Sequence, residues 1–560
     1  MTGLKKGPKP PFNDPKRRAV LVWGLALAAA ALAGLVWSYC WRVFFYLDSR
    51  CLALWSTAGC VGFCLLAVGA VALVRRLPGF VARGAACILL CGVLFAFANP
   101  PLQTPDETDH YLRTYAISLG RFDFDYDRTY PEDVARLVEA FPGAWVNAHT
   151  SVGIGTDPDT GEDKPYDTAG YALKQIGSDG AIQSVADSFA AYFGGGEEPP
   201  EPLHEPVSFL ILPFLPGAAG MALVRLLGGG ALACLYAGRL GNLLAYTLLC
   251  GAALHLARRY RPVLLCVMLL PLSLFMGASL SYDATLLACY YLMLALLTRP
   301  VWTTRTAAAY AAACVFVNVA KPYLNLLWAL LPLVLLAADA WRARGRRWLR
   351  SAAMAAGALA ATLGAETYGR LLRRNYPVIA RQGGQAVDGM AQLLFVLRNP
   401  LRTLATFWGT LYENEGFVGQ LGIFGWKDLP IPLLNLLGPV ALGLAVLLAS
   451  AQPAGLGRRR ALGLGGFGAV YAAGAMAAMY ITYTPVAMVR IVGLQARYFL
   501  PVFLALALVA VAPLRRLLAP QLPLPRAERL AVPLFAGHAL LGAVLLFQHY
   551  FVGPFYTIPA

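Results

Sequence analysis

The sequence predicts an all-α polytopic membrane protein, and three observations carry that prediction. Hydrophobic residues make up 58 % of the 560-residue chain and charged residues only 14 %, with a mean hydropathy of +0.58. Such a composition suits a chain dissolved in hydrocarbon better than one dissolved in water. Apolar runs recur along the chain at about the twenty residues that a bilayer crossing needs. Lys and Arg gather in the short segments that alternate with these runs. Segments assigned to the cytoplasm hold 26 of the 46 basic residues, and among acids only Asp14, Asp339 and Glu528. The positive-inside rule then puts the N-terminus in the cytoplasm.

The formal charge of +16 does not point to nucleic acid. No basic patch interleaved with aromatic residues accompanies it, and loop Lys and Arg in a membrane protein set orientation instead. The eleven cysteines lie in or beside apolar runs, and none has a metal-site spacing with histidine.

Taken in order, residues 1–18 form a basic, Pro-rich tail. Residues 19–84 hold two spans, about 19–40 and 51–74, closed by the basic turn at 75–84. A third span, 85–99, leads out of the membrane. Residues 100–205 are the large hydrophilic segment and hold 20 of the 30 acidic residues. This is expected to be an extracytoplasmic first loop of mixed α/β content. FDFDYD (122–127) alternates as a half-buried strand would, PEDVARLVEAF (131–141) reads as a helix, and DPDTGED (157–163) is a weak calcium-loop likeness with Thr168 where the bidentate Glu belongs.

Residues 203–230 are apolar but interrupted by Pro206, Pro213 and Pro216, so an interfacial or re-entrant helix is expected, closing the loop region 100–230. A transmembrane core over 231–366 follows, with spans at about 231–256, 263–279, 283–298, 306–320, 322–340 and 351–366. A second extracytoplasmic segment covers 367–430. C-terminal spans at about 431–450, 461–482, 498–513 and 530–549 lie within 431–560. That makes about thirteen spans with the C-terminus outside.

The stretch from Asn99 to Gly120 carries the chemistry. Thr104, Pro105 and Glu107 fit a helix N-terminus, as cap, first residue and capping-box partner. Capping leaves Asp106 and His110 unexplained, and at i, i+4 they share a helix face. A carboxylate site at Asp106, Glu107 and His110 is therefore expected in addition to the cap. Other polar residues fall at outer turns: Tyr282 and Asp283 in ASLSYDA (278–284), Lys321 in VAKPYL (319–324), and Gln495 and Arg497 in LQARYFLP (494–501). Arg239 and Asn242, early in the span after the interfacial helix, face the same side. Each has an ordinary alternative, as a helix cap or a snorkelling cation.

In the order PPLQTPDETDH, YAGRLGN, LPLSLFMGASLSYDA, AKPYL, GQLGIFGWKDLPIP and QARYFLP the chain resembles, from about residue 85 onward, the bacterial membrane family called domain of unknown function 2142. That family is in turn similar to the GT-C glycosyltransferases, whose first outer loop carries an acidic pair and which take sugar from a polyprenyl-phosphate carrier. The resemblance implies a GT-C-like fold in the bacterial plasma membrane, with Asp106 and Glu107 in the place of the acidic pair. It implies a polyprenyl-phosphate-linked sugar donor and a glycan or lipid acceptor. Asp106 would act as base, with Glu107 or His110 orienting. Lys321 and Arg497, with Arg239, would hold the lipid phosphate. No cofactor is required, although the carboxylates could share a Mg or Mn ion. Two other classes remain open. One is a transporter, flippase or polymerase component of polysaccharide export, and the other a non-catalytic envelope scaffold.

Overall fold

The computed structural model describes residues 15–45 and 53–552, apart from 124, 126, 142–151, 157–162, 168–184, 196–199, 205–210, 300–302, 323, 341–346, 374–380, 383–384, 428, 452–455 and 519–523. Residues 1–14 of the basic tail and the calcium-like turn, except for Asp163, therefore fall outside the described residues, and Lys16, Arg17 and Arg18 belong to the first turn of the first helix.

The chain is a helical membrane protein. Its helices are α1 Pro15–Phe45, α2 Ala53–Arg76, α3 Gly79–Ala98, α4 Glu107–Ser118, α5 Glu132–Ala140, α6 Val185–Gly194, α7 Leu215–Leu226, α8 Ala231–Ala257, α9 Arg261–Leu269, α10 Pro271–Gly277 and α11 Asp283–Leu297. They continue with α12 Thr304–Ala320, α13 Leu326–Ala340, α14 Arg347–Arg373, α15 Gly389–Arg398, α16 Pro400–Glu413, α17 Pro432–Ser450, α18 Arg458–Thr482, α19 Leu500–Leu518 and α20 Leu524–Phe547. Eight segments among the described residues are long and apolar enough to cross a membrane. Exposed Leu and Val along α1 and α2, such as Leu32 and Leu66, are the surface that lipid would cover.

The core is the region where no helix face is left over. α9, α10 and α11 are buried nearly end to end, with α11 at 15 residues and the α9–α10 pair broken at Leu270 by Pro271. α8 packs on α3, α7 and α11. Small residues permit the closest approaches. A Cβ at Gly241 would lie 2.3 Å from the Pro216 carbonyl oxygen, and one at Gly220 equally close to that of Ala237, so α7 and α8 meet backbone to backbone.

One feature departs from the sequence reading. Residues 122–127 form no strand where described. Arg113 instead donates to the carbonyls of Asp123 and Phe122 at 3.1 and 3.2 Å, and Arg128 pairs with Asp123 and Asp125, so charge pairing holds this stretch as a loop. A short antiparallel hairpin, β1 Val152–Thr156 with β2 Asp163–Asp167, lies further along. The 203–230 segment resolves into a single turn at Leu212–Phe214 and the 12-residue α7, too short to span. Two further two-residue hairpins, β3 Arg381–Gln382 with β4 Gln385–Ala386 and β5 Ile423–Phe424 with β6 Leu429–Pro430, lie in the 367–430 segment.

Candidate functional site

The residues singled out by sequence separate into a buried anchor and a more open cluster. α4 begins at Glu107, one residue after Asp106, which adopts the left-handed conformation at φ 61°. Aspartate accepts that conformation better than most residues. Half of the expected capping box forms, because the Thr104 N–H donates to Glu107 Oε2 at 3.3 Å. The Thr104 hydroxyl accepts from Asn99 Nδ2 at 3.0 Å instead of capping the helix.

Glu107 points inward and is fully buried. Arg239 Nε donates to its Oε1 at 2.9 Å, Arg239 Nη2 to its Oε2 at 2.7 Å, and the Leu280 N–H to Oε1 at 3.0 Å. With Thr104, that fills the four lone-pair positions of the carboxylate. Arg239 is equally saturated. Its remaining N–H groups reach the carbonyls of Ala96, Asn99 and Pro100 at 2.7–2.8 Å, so all five donors have acceptors. Neither member can take a ligand without losing a bond it already makes, so the structure places Glu107 and Arg239 in a buried anchor apart from the other candidates. Asn242, also buried, donates to the Ser279 carbonyl at 2.9 Å and braces the same turn.

The open cluster gathers around Arg497. Its guanidinium is 5 % exposed and lies 3.4 Å from Asp106 Oδ2 on one side and 3.4 Å from Asp283 Oδ2 on the other. Asp106 itself is half exposed. Arg497 Nη2 also donates to the Tyr498 hydroxyl at 3.2 Å, while its Nε is the atom that faces Asp283, in an ion pair without hydrogen-bond geometry. Lys321 stands over the Tyr498 ring at 4.5 Å and over the Tyr282 ring at 5.9 Å, contacts that a cation makes with the faces of aromatic rings. His110 sits edge-on to Tyr282, 4.9 Å between ring centres, and its Nδ1 is buried without a hydrogen-bond partner. Burial pushes the imidazole below its usual pKa against the pull of Asp106 and Asp283, so it stays neutral.

One member was not picked out from sequence. Lys427, in the turn between β5 and β6, lines a small pocket with Arg497, Gln495, Gln420 and Pro105. Its backbone is left-handed at φ 74°, following Gly425 at φ 60°. Its side chain reaches solvent, yet the surrounding protein and the Arg497 charge push its pKa down to about 8. The signal was present in GWKDLP as a lysine inside an apolar motif; proximity to Arg497 was not. Gln495 also lines this pocket. The pocket volume is about 20 Å³, room for a water-sized group.

Among the described residues no three His, Cys, Asp or Glu side chains gather closely enough to hold a metal ion. Asp106 and Asp283 are bridged by a guanidinium instead. What the arrangement can do is hold an anion at Arg497, Lys321 and Lys427 while a carboxylate and a neutral imidazole stand alongside.

The family model described as "Predicted membrane protein (DUF2142)" matches residues 207–506, more than half of the chain. The matched region contains Asp283, Lys321, Lys427 and Arg497 and begins after Asp106 and His110. No curated protein and no solved structure matches the chain.

Proposed function

The chain belongs to the DUF2142 family of predicted membrane proteins, and on that premise we propose that it is a glycosyltransferase of the GT-C kind. It moves a sugar from a polyprenyl-phosphate carrier to an envelope glycan or lipid acceptor outside the cytoplasm. The reading includes about thirteen spans in a bacterial plasma membrane, with the N-terminus inside, the C-terminus outside, and residues 100–230 as an extracytoplasmic loop.

The observation that carries this reading is the position of Arg497 between Asp106 and Asp283 at 3.4 Å from each. Sugar transfer from a lipid phosphate requires a base for the acceptor hydroxyl and cations for the phosphate charge that grows as the carrier leaves. At 3.4 Å the Asp106 contact is longer than the 2.7–2.9 Å of a strong charge-assisted bond. A donor phosphate competes with Asp106 for Arg497 Nη2, while Nε stays facing Asp283. Asp106 is thereby released to take the proton of the acceptor hydroxyl, with His110 Nδ1 free to orient that hydroxyl. Asp283, 8 % exposed, keeps Arg497 in place throughout. Lys321 and Lys427 supply further positive charge at the phosphate.

The test is transfer of radiolabelled sugar from polyprenyl-phosphate donors by the purified protein. Product formed by the wild type and lost in Asp106→Asn supports the reading. A fully folded protein that forms no product with any donor, or an Asp106→Asn variant of full activity, overturns it.

A further inference from the structure

At the end of α3 opposite Asn99, the described helices leave a groove that the site above does not use. α2, α3 and α20 enclose about 580 Å³ between them, the larger of the two cavities described here by more than an order of magnitude. Its walls are apolar and small, and its mouth carries Arg75, Arg83 and Arg529. The acid at the mouth, Glu528, is neutralised by Arg261 at 3.0 Å, and Arg261 in turn covers the Phe80 ring. Arg83 gives its Nε–H to the Leu77 carbonyl at 2.9 Å. Among the described residues, neither Arg75 nor Arg529 has a carboxylate partner. Among the described residues, three guanidinium groups therefore ring one end of an apolar slot with no carboxylate left to balance them.

The slot runs along α3 from Arg83 to Leu94, eleven residues or about 16 Å at 1.5 Å per residue. That is about half of a 30 Å hydrocarbon core, the depth of one leaflet. An apolar slot one leaflet deep with arginines at its headgroup end matches a single class of molecule by length, polarity and charge.

We propose that this groove binds an anionic diacyl phospholipid, its phosphate held by Arg75, Arg83 and Arg529 and an acyl chain lying against α20 at Gly537. A Cβ built at Gly537 meets no atom within 4 Å, so the glycine leaves the chain's path open. The inference is independent of the reading at Asp106, because the two places lie at opposite ends of α3. Basic pockets between transmembrane helices recognise acidic headgroups in this way.

The experiment is native mass spectrometry of the full chain released from nanodiscs of palmitoyl-oleoyl phosphatidylglycerol or the matching phosphatidylcholine. Retained phosphatidylglycerol is expected to exceed phosphatidylcholine about tenfold or more, since each of three arginine contacts adds to anionic selectivity. The triple variant R75Q/R83Q/R529Q should lose that preference. Gly537→Phe, which fills the slot and leaves the arginines in place, should lower retention of both lipids and serves if the triple variant does not fold. Equal retention of the two lipids by the wild type would mean annular lipid only and would overturn the proposal. So would unchanged retention in Gly537→Phe, or a dimer whose formation expels the lipid, which would assign the groove to a second copy.

Discussion

Glu107 and Arg239, 132 residues apart in sequence, form a bidentate ion pair from which water is wholly excluded. The pair ties the start of α4 to α8, and through the Ala96, Asn99 and Pro100 carbonyls it also holds the end of α3. Asp106 is thus presented by the residue next to it. The acid that sequence treats as one half of a catalytic pair is the anchor, and its neighbour is the group left facing the cluster.

Removing one partner of this pair leaves the other charged and buried. Glu107→Gln and Arg239→Met should each destabilise the protein by about 3 to 5 kcal/mol, and the double variant by less than the two together. Thermal unfolding in detergent measures this. Single variants that unfold like the wild type would return Glu107 to the catalytic group.

Asp106→Asn makes the opposite prediction. Its side chain caps nothing and is half exposed, so the melting temperature should stay within error of the wild type. Transfer activity should fall on the order of 10² to 10⁴. Thr104→Ala, which removes the acceptor for Asn99, should cost about 1 kcal/mol of stability and little activity. Undiminished activity in a folded Asp106→Asn protein would move the transporter or scaffold reading ahead.

The cations need variants chosen by burial. Arg497→Ala would strand Asp283 and confound folding with function. Lys321→Met keeps the contact with the Tyr282 and Tyr498 rings and removes only the charge. It should weaken donor use about tenfold, equivalent to about 1.4 kcal/mol, with acceptor dependence unchanged. Equal donor dependence in the variant and the wild type would reduce Lys321 to a packing residue.

Lys427 adds a pH signature. In the folded chain its ammonium loses its proton at about 8, not near the ordinary 10.5. The charged form that holds an anion persists below that pH, so donor affinity should fall as pH rises through about 8. Stability runs the other way. Between about 8 and 10.5 the unfolded chain binds the extra proton, so this lysine's contribution to stability increases with pH. Lys427→Arg keeps the charge at every pH and should flatten the affinity profile. A profile with the same inflection in Lys427→Arg and wild type would remove Lys427 from the donor site.

Orientation is testable without an assay of activity. A reporter fused after Gly195 should be active only outside the cytoplasm, and one fused after Arg347 only inside. The reverse pattern would overturn the proposed sidedness and the access of the site to an outer-leaflet donor.

Sequence alone determined that this is a helical membrane protein, because length and apolarity of a run are local properties and every backbone group in hydrocarbon must be bonded within its own helix. Helices stand at the apolar runs read from sequence, and eight segments among the described residues are long and apolar enough to cross a membrane. Sequence also drew attention to Asn99–Gly120 and to the turns bearing Asp283, Lys321 and Arg497, since charges beside apolar runs need a partner. Which partner each charge takes was decided only by tertiary structure. Asp106 and Glu107 are adjacent and chemically alike, yet a helix start in left-handed geometry turns one toward Arg497 and buries the other on Arg239. The FDFDYD stretch alternates like a strand, but Arg113 and Arg128 hold it as a loop. Lys427 belongs to the cluster because the turn between β5 and β6 brings it beside Arg497, 70 residues further along the chain. Proximity of that range is set by how helices pack, and no local pattern of residues encodes it.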